Sequence, residues 1–154
     1  MVSLRRETSL GYQVNLLARL LEHALRDRIA AHGVVPGQFP ALLTLYEQDG
    51  LTQAELCQRV SIEQPTMART LQRMERDGLV RRRSDPRDRR RARFHLTPAA
   101  RELERSLAAA GHEVNAAAVR GLTPAQVEVL MGTIGRVVAN LKARAEPAGS
   151  VGEG

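Results

Sequence analysis

From Ser9 to Ala31 the apolar residues Leu10, Val14, Leu17, Leu21, Ala24 and Leu25 return every three or four positions, with Leu16, Leu20 and Ile29 beside them. That spacing predicts a helix whose apolar stripe is wide enough to be buried on more than one side. His32-Gly33 ends it and Pro36-Gly37 marks a turn. A second helix is expected from Phe39 to Gln48 through Leu42, Leu43, Leu45 and Tyr46, stopped by Asp49-Gly50. Thr52-Gln53-Ala54-Glu55 reads as a capping box, in which the Thr hydroxyl and the Glu carboxylate satisfy backbone donors that lack helical partners. A short third helix should follow to about Val60, burying Leu56 and Val60. Ser61 offers another cap, and Pro65 falls in a first turn where its missing N–H costs little. A fourth helix then runs to Asp77, with Gly78 as its stop.

After Gly78 the period shortens to two. Leu79 to Arg83 and Ala92 to Leu96 read as strands, with Val80, Ala92, Phe94 and Leu96 facing inward and the turn formers Ser84, Asp85 and Pro86 between them. Leu96-Thr97-Pro98 and Leu122-Thr123-Pro124 each set a Thr cap before a Pro at the first helical position, which marks two helix starts. The fifth helix has Leu103, Leu107, Ala110 and Val114 on one stripe. The sixth has Val127, Leu130, Met131, Ile134, Val137, Val138 and Leu141. Composition makes 145–154 a disordered tail. The expected fold is mainly α, or α+β: a winged helix-turn-helix with a two-stranded β wing, plus long N- and C-terminal helices. At 154 residues the chain is expected to be one domain.

Charge changes the picture. Eight of the thirteen residues from Arg81 to Arg93 are arginines, opposed only by Asp85 and Asp88, so this segment holds the whole formal excess of +6. A neutral body with one basic spike is built to touch a polyanion. The aromatics are Tyr12, Phe39, Tyr46 and Phe94, with no Trp, too few for a platform that stacks single-stranded bases. Duplex DNA is therefore the expected partner. A lone cysteine, Cys57, excludes an internal disulfide framework and suits a reducing interior, and neither a signal peptide nor a membrane-length apolar run stands out. A cytoplasmic location is the expectation, without membrane partner or cofactor. His23, His32, His95 and His112 lack metal-ligand spacing, so no metal site is expected.

On the fourth helix Met67, Leu71 and Met74 share one face, which leaves Thr66, Arg69, Thr70 and Arg73 together on the other. A major groove about 12 Å wide admits such a helix, whereas the narrower minor groove admits extended side chains such as arginine. Arg69 or Arg73 suits guanine, while Gln64, Thr66 and the helix N-terminus suit phosphate or an adenine edge. A solvated helix face and a charged surface loop are the bland alternatives. The order of caps, turn and hairpin, and the mutual repulsion of eight arginines without a partner, weigh against them.

The stretch from Gln38 to Leu103 resembles the MarR family of bacterial transcription regulators. The resemblance lies in Gln38-Phe39, in LTQAELCQRVSIEQPTMARTLQRMERDGLVRR, and in DRRRARFHLT, where Asp88-x-Arg90 and Leu96-Thr97 match the family's wing signature. It implies base-reading roles for Gln64, Pro65, Thr66, Arg69, Thr70 and Arg73. It also implies a wing tip of Arg87, Asp88, Arg89, Arg90 and Arg91, in which the aspartate orients the arginine that enters the minor groove. It implies a DNA-binding lobe at 34–97 and a homodimer formed by helices at 9–32 and 98–144, most commonly a repressor. Expected interface residues are Leu10, Val14, Leu17, Leu107, Val114, Leu130, Ile134, Val137 and Leu141. The wide stripe of the first helix and the Ala- and Leu-rich terminal helices argue for a dimer independently.

Many members of that family bind a small aromatic or anionic molecule, for which Tyr12, Arg19, His23 and Tyr46 are the polar candidates. Each of the four is more often a core or interface residue. Cys57, on the third helix, reads as a packed thiol. The competing readings are a non-catalytic winged-helix module that binds protein, or one that coats DNA without reading it. No nucleophile elbow, carboxylate pair or glycine-rich phosphate loop supports an enzyme.

Overall fold

A computed structural model describes residues 4–145 of the chain. Except for Ala145, the tail expected at 145–154 lies outside them. The chain divides into two compact units between Asn115 and Ala116.

The first unit opens with a 3-10 turn, Arg6–Thr8, and helix α1, Leu10–Ile29. Further 3-10 turns at Ala30–His32 and Pro36–Gln38 lead into α2, Phe39–Glu47. Strand β1, Leu51–Thr52, then precedes α3, Gln53–Val60, and α4, Gln64–Arg76. Strands β2, Val80–Ser84, and β3, Ala92–Leu96, form the hairpin, and α5 is Pro98–Ala118, of which residues to Asn115 belong to this unit. The second unit holds the end of α5 and helix α6, Pro124–Ala145.

The caps expected at Thr52, Thr97 and Thr123 are made, and Ser9 supplies one that was not expected. Ser9 Oγ accepts the Tyr12 N–H at 3.3 Å. At α3 the Glu55 N–H donates to Thr52 Oγ1 at 3.2 Å while the Thr52 N–H donates to Glu55 Oε2 at 2.8 Å. Thr97 Oγ1 accepts the Ala100 N–H at 3.1 Å and donates to the Gly78 carbonyl at 2.6 Å, so one hydroxyl both starts α5 and ties it to the end of α4. Thr123 and Gln126 form the same reciprocal pair at α6.

One local expectation is corrected and another extended. Ser61 does not cap α4: it sits in the left-handed region at φ 57° and closes α3, and the N-cap of α4 is Glu63, which makes no side-chain cap bond. A residue satisfying the end of one helix is not in the extended conformation required to start another. The hairpin β2–β3 is the expected two-stranded wing, but its sheet gains a third strand in the order β1-β3-β2, with Leu51 opposite Phe94 and Thr52 opposite Arg93. Two residues are too few to show a period, so the sequence reads them only as a helix cap.

The core gathers Leu42 and Leu45 of α2, Leu56 of α3, and Met67, Leu71 and Met74 of α4. Phe94 and Leu96 of β3 and Ala100 and Leu107 of α5 complete it. Gln38, also buried, accepts the Val35 N–H at 3.1 Å and donates to Asp77 Oδ2 at 2.8 Å, pinning the start of α2 to the end of α4. α1 differs from its expected double-sided burial: Ile29 alone is buried, and Leu10, Val14, Leu17 and Leu20 stand 48% to 61% exposed. No residue of α6 is buried.

Candidate nucleic-acid interface

The interface is built on α4. Met67, Leu71 and Met74, all buried, clamp one side of it to the core, and this leaves Gln64, Pro65, Thr66, Arg69 and Arg73 exposed on the rest with Thr70 half-buried. Gln64 is oriented from the preceding helix, since Gln53 Nε2 donates to its side-chain oxygen at 2.8 Å and to its carbonyl at 3.3 Å. The Thr70 hydroxyl donates back to the Thr66 carbonyl at 3.0 Å. Arg73 lies 3.7 Å from Asp77. Arg69 has no hydrogen bond or ion pair among the described residues, so its guanidinium is free for a partner.

The eight arginines separate by partner. Arg82 lies 5.2 Å over the Phe94 ring and 3.4 Å from Glu75, which fastens it to the back of α4. Arg93 is turned inward: Nε donates to Asp85 Oδ2 at 3.0 Å and Nη1 to the Gly50 carbonyl at 2.8 Å. It is held within the fold and not offered to solvent or phosphate. Asp85, read as a turn former, is 5% exposed. The Arg87 N–H bonds its other oxygen at 2.9 Å, and that bond, with the Arg93 charge, holds its carboxyl below the usual range.

At the tip, Asp88 Oδ1 accepts the backbone N–H of Arg90 at 3.0 Å, and Oδ2 lies 3.8 Å from Arg91 Nε. The carboxylate therefore fixes Arg90 through its backbone and spends its charge on Arg91, where the sequence pattern implies the Arg90 guanidinium. Among the described residues the side chains of Arg87, Arg89 and Arg90 make no hydrogen bond or ion pair. A groove of about 400 Å³ places Arg90 and Arg91 with Arg82, Gln53 and Gln64. Recognition helix and wing thus share one basic concavity, as a surface for a nucleic-acid backbone must.

The MarR-family profile matches residues 32–91, which span this helix-turn-helix and most of the wing. A curated relative, the HTH-type transcriptional regulator TtmR of Methylorubrum extorquens (strain PA1), is 29% identical over 139 residues, 90% of this chain and 70% of its own. A MarR transcriptional regulator from Methanosarcina mazei Go1 superposes with a TM-score of 0.79 at 27% identity, covering 87% of this chain and 97% of that one. Its helix-turn-helix and wing are thus similar to those of MarR-family regulators. The proteins it resembles here are transcriptional regulators. A more distant structure, a MarR-family regulator from Listeria monocytogenes complexed with 26mer DNA, shares the fold at 21% identity and a TM-score of 0.81, over 87% of this chain and 89% of its own.

Other expected positions fall differently. Leu107 and Val114 are buried within the chain, so the face they were expected to offer a partner is already covered. Leu10, Val14, Leu17, Leu130, Ile134 and Leu141 are exposed, and Val137 partly so. Of the effector candidates, Tyr12, Arg19 and His23 are exposed on α1, with Tyr12 under the Arg6 guanidinium at 5.9 Å. The Tyr46 hydroxyl donates to the Ala100 carbonyl at 2.6 Å, and its pKa is pushed up to about 12 by burial and then by Glu104.

None of these four lines the apolar cavity of about 460 Å³ that the fold does contain. Its walls are Leu21, Glu22 and Leu25 of α1, Pro36, Phe39, Pro40 and Leu43 around α2, and Ala108, Gly111, His112, Val114 and Asn115 of α5. Gly111 on its wall faces the Phe39 ring, which a Cβ there would meet at 3.5 Å in ordinary contact, so the sequence carries no clear signal for the cavity.

Cys57 is half-buried against the core, and burial raises its pKa, which disfavours the reactive thiolate. Among the described residues no three His, Cys, Asp or Glu side chains group as metal ligands. No described helix is long and apolar enough to cross a membrane.

Proposed function

We propose that this protein is a repressor that binds a pseudo-palindromic DNA site as a homodimer, with α4 of each copy in a major groove and each wing tip in the adjacent minor groove. The observation that supports this reading most is the shared groove of Gln64 with Arg90 and Arg91 beside the open Arg69 face. Gln64, Pro65, Thr66, Arg69, Thr70 and Arg73 are the proposed reading set, and Arg87, Asp88, Arg89, Arg90 and Arg91 the wing set. The Listeria relative crystallised on a 26mer supports a duplex as the partner.

The dimer is supported by unpartnered apolar residues on α1 (Leu10, Val14, Leu17) and on α6 (Leu130, Ile134, Leu141), too many for a lone soluble chain. Residues 34–97 act as the DNA-binding lobe, and 9–32 with 98–144 as the dimerisation helices. Two-fold symmetry then sets the half-sites about one helical turn, roughly 34 to 36 Å, apart. The apolar cavity beside Phe39, with Glu22, His112 and Asn115 at its edge, is the proposed seat of a small effector. Its lining favours a flat apolar molecule with one polar end.

Selection of bound duplexes from random DNA tests the reading. The expected result is a two-fold motif, one base position of which relaxes in Arg69→Ala. Recovery of unselected sequence would favour a protein that coats DNA, and absence of binding would favour a protein partner.

A further inference from the structure

Arg93 is the one wing arginine whose guanidinium bonds two separate segments. Its Nε meets Asp85, where β2 ends, and its Nη1 meets the Gly50 carbonyl, just ahead of β1, with Glu55 of α3 at 3.7 Å. Asp85 is buried and fully used: one oxygen takes Arg93, the other takes the Arg87 N–H, and its own N–H donates to the Arg91 carbonyl at 2.9 Å. Arg87 and Arg91 bracket the tip. The carboxylate therefore closes the base of the tip loop, and Arg93 bolts that base to the turn that launches the helix-turn-helix.

Gly50 fits the arrangement closely. At φ 74° it adopts a conformation that suits glycine, a Cβ there would stand 2.8 Å from the His95 ring, and its N–H donates to the Phe94 carbonyl at 3.1 Å. The planar fork of arginine can reach carboxylate and carbonyl at once, which the point charge of a lysine cannot.

We propose that Arg93 and Asp85 are positioning residues that set the angle of the wing on the helix-turn-helix, and that Arg93 itself does not contact DNA. This rests on the reading of the wing as a minor-groove element. If the bolt is undone, the free arginines at 87, 89 and 90 keep their charge but lose their aim.

Two substitutions separate a bolt from a contact because the alternatives predict different outcomes. Lysine at a phosphate contact is nearly conservative, so Arg93→Lys would bind as wild type if Arg93 touched DNA. As a bolt it should weaken binding roughly tenfold and reduce the salt slope by about one unit for each tip arginine disengaged. Arg90→Ala should then add little in the Arg93→Lys background, since coupled residues are not additive. Asp85→Asn removes a negative charge from a DNA-binding surface, so simple electrostatics predicts tighter binding, whereas the bolt predicts weaker.

Amide exchange of the full chain without DNA gives a second readout: the Arg87 N–H should exchange roughly tenfold faster in both variants while the global melting temperature moves little. Wild-type affinity and slope in Arg93→Lys, tighter binding by Asp85→Asn, or unchanged Arg87 exchange would each overturn the proposal. Were wild type to show no preference for any duplex, the reading of the interface would fail, and Arg87 exchange would still decide the bolt.

Discussion

At the scale of single residues, neighbouring arginines do different work because their partners differ. Arg69 is open to solvent on α4, so Arg69→Ala should cost about 1 to 3 kcal/mol of binding and relax discrimination at one base pair, read by titrating a panel of single-base variants. Arg90 is held at the tip by its backbone bond to Asp88, so Arg90→Ala should weaken all sequences alike and flatten the dependence of affinity on salt by about one unit.

Asp85 makes a prediction in pH. Its folded pKa is depressed by the Arg87 N–H and by Arg93, so the stability it adds is present above its unfolded value, about 3.9, and is lost as pH falls through the folded value. The Arg87 amide resonance should therefore titrate with a midpoint below that of a free aspartate. A midpoint at or above it would place Asp85 in ordinary solvent. Cys57, packed and with its thiolate disfavoured, should leave DNA binding unchanged by peroxide at concentrations that oxidise exposed thiols.

At the scale of elements, the capping box at Thr52 should matter twice, because Thr52 both starts α3 and pairs with Arg93 across β1 and β3. Thr52→Ala should lower stability by about 1 kcal/mol in denaturant unfolding, and Met67→Ala, which opens the core beneath the reading face, by about 2 to 5 kcal/mol. Most elements were legible in the sequence because caps and periods are local signals: Thr52, Thr97 and Thr123 mark their helices without reference to the rest of the chain. What could not be read depends on partners distant in sequence. β1 exists only because β3 passes beside it. The inward turn of Arg93 requires the Gly50 carbonyl, 43 residues away. The burial of Leu107 and Val114, on one stripe with Leu103 and Ala110, depends on which flank of α5 the first unit covers. The apolar cavity arises from three separated segments, so no local pattern announces it.

At the scale of the whole molecule the account is of two copies on one duplex. If the proposed dimer uses the apolar residues exposed on α1, Leu17→Glu should halve the mass seen by sedimentation equilibrium and reduce operator affinity by far more than any single DNA contact, since each copy would then bind one half-site alone. The central claim is that this symmetric pair reads sequence through α4 and aims a wing into the flanking minor groove. Hydroxyl-radical footprinting on a selected site, with the number of bound chains counted on the same duplex, tests it most directly. The account predicts two chains per site and a two-fold pattern, with flanking minor-groove protection that disappears in Arg90→Ala while the central pattern remains. One chain on an asymmetric footprint, or uniform protection independent of sequence, would contradict it.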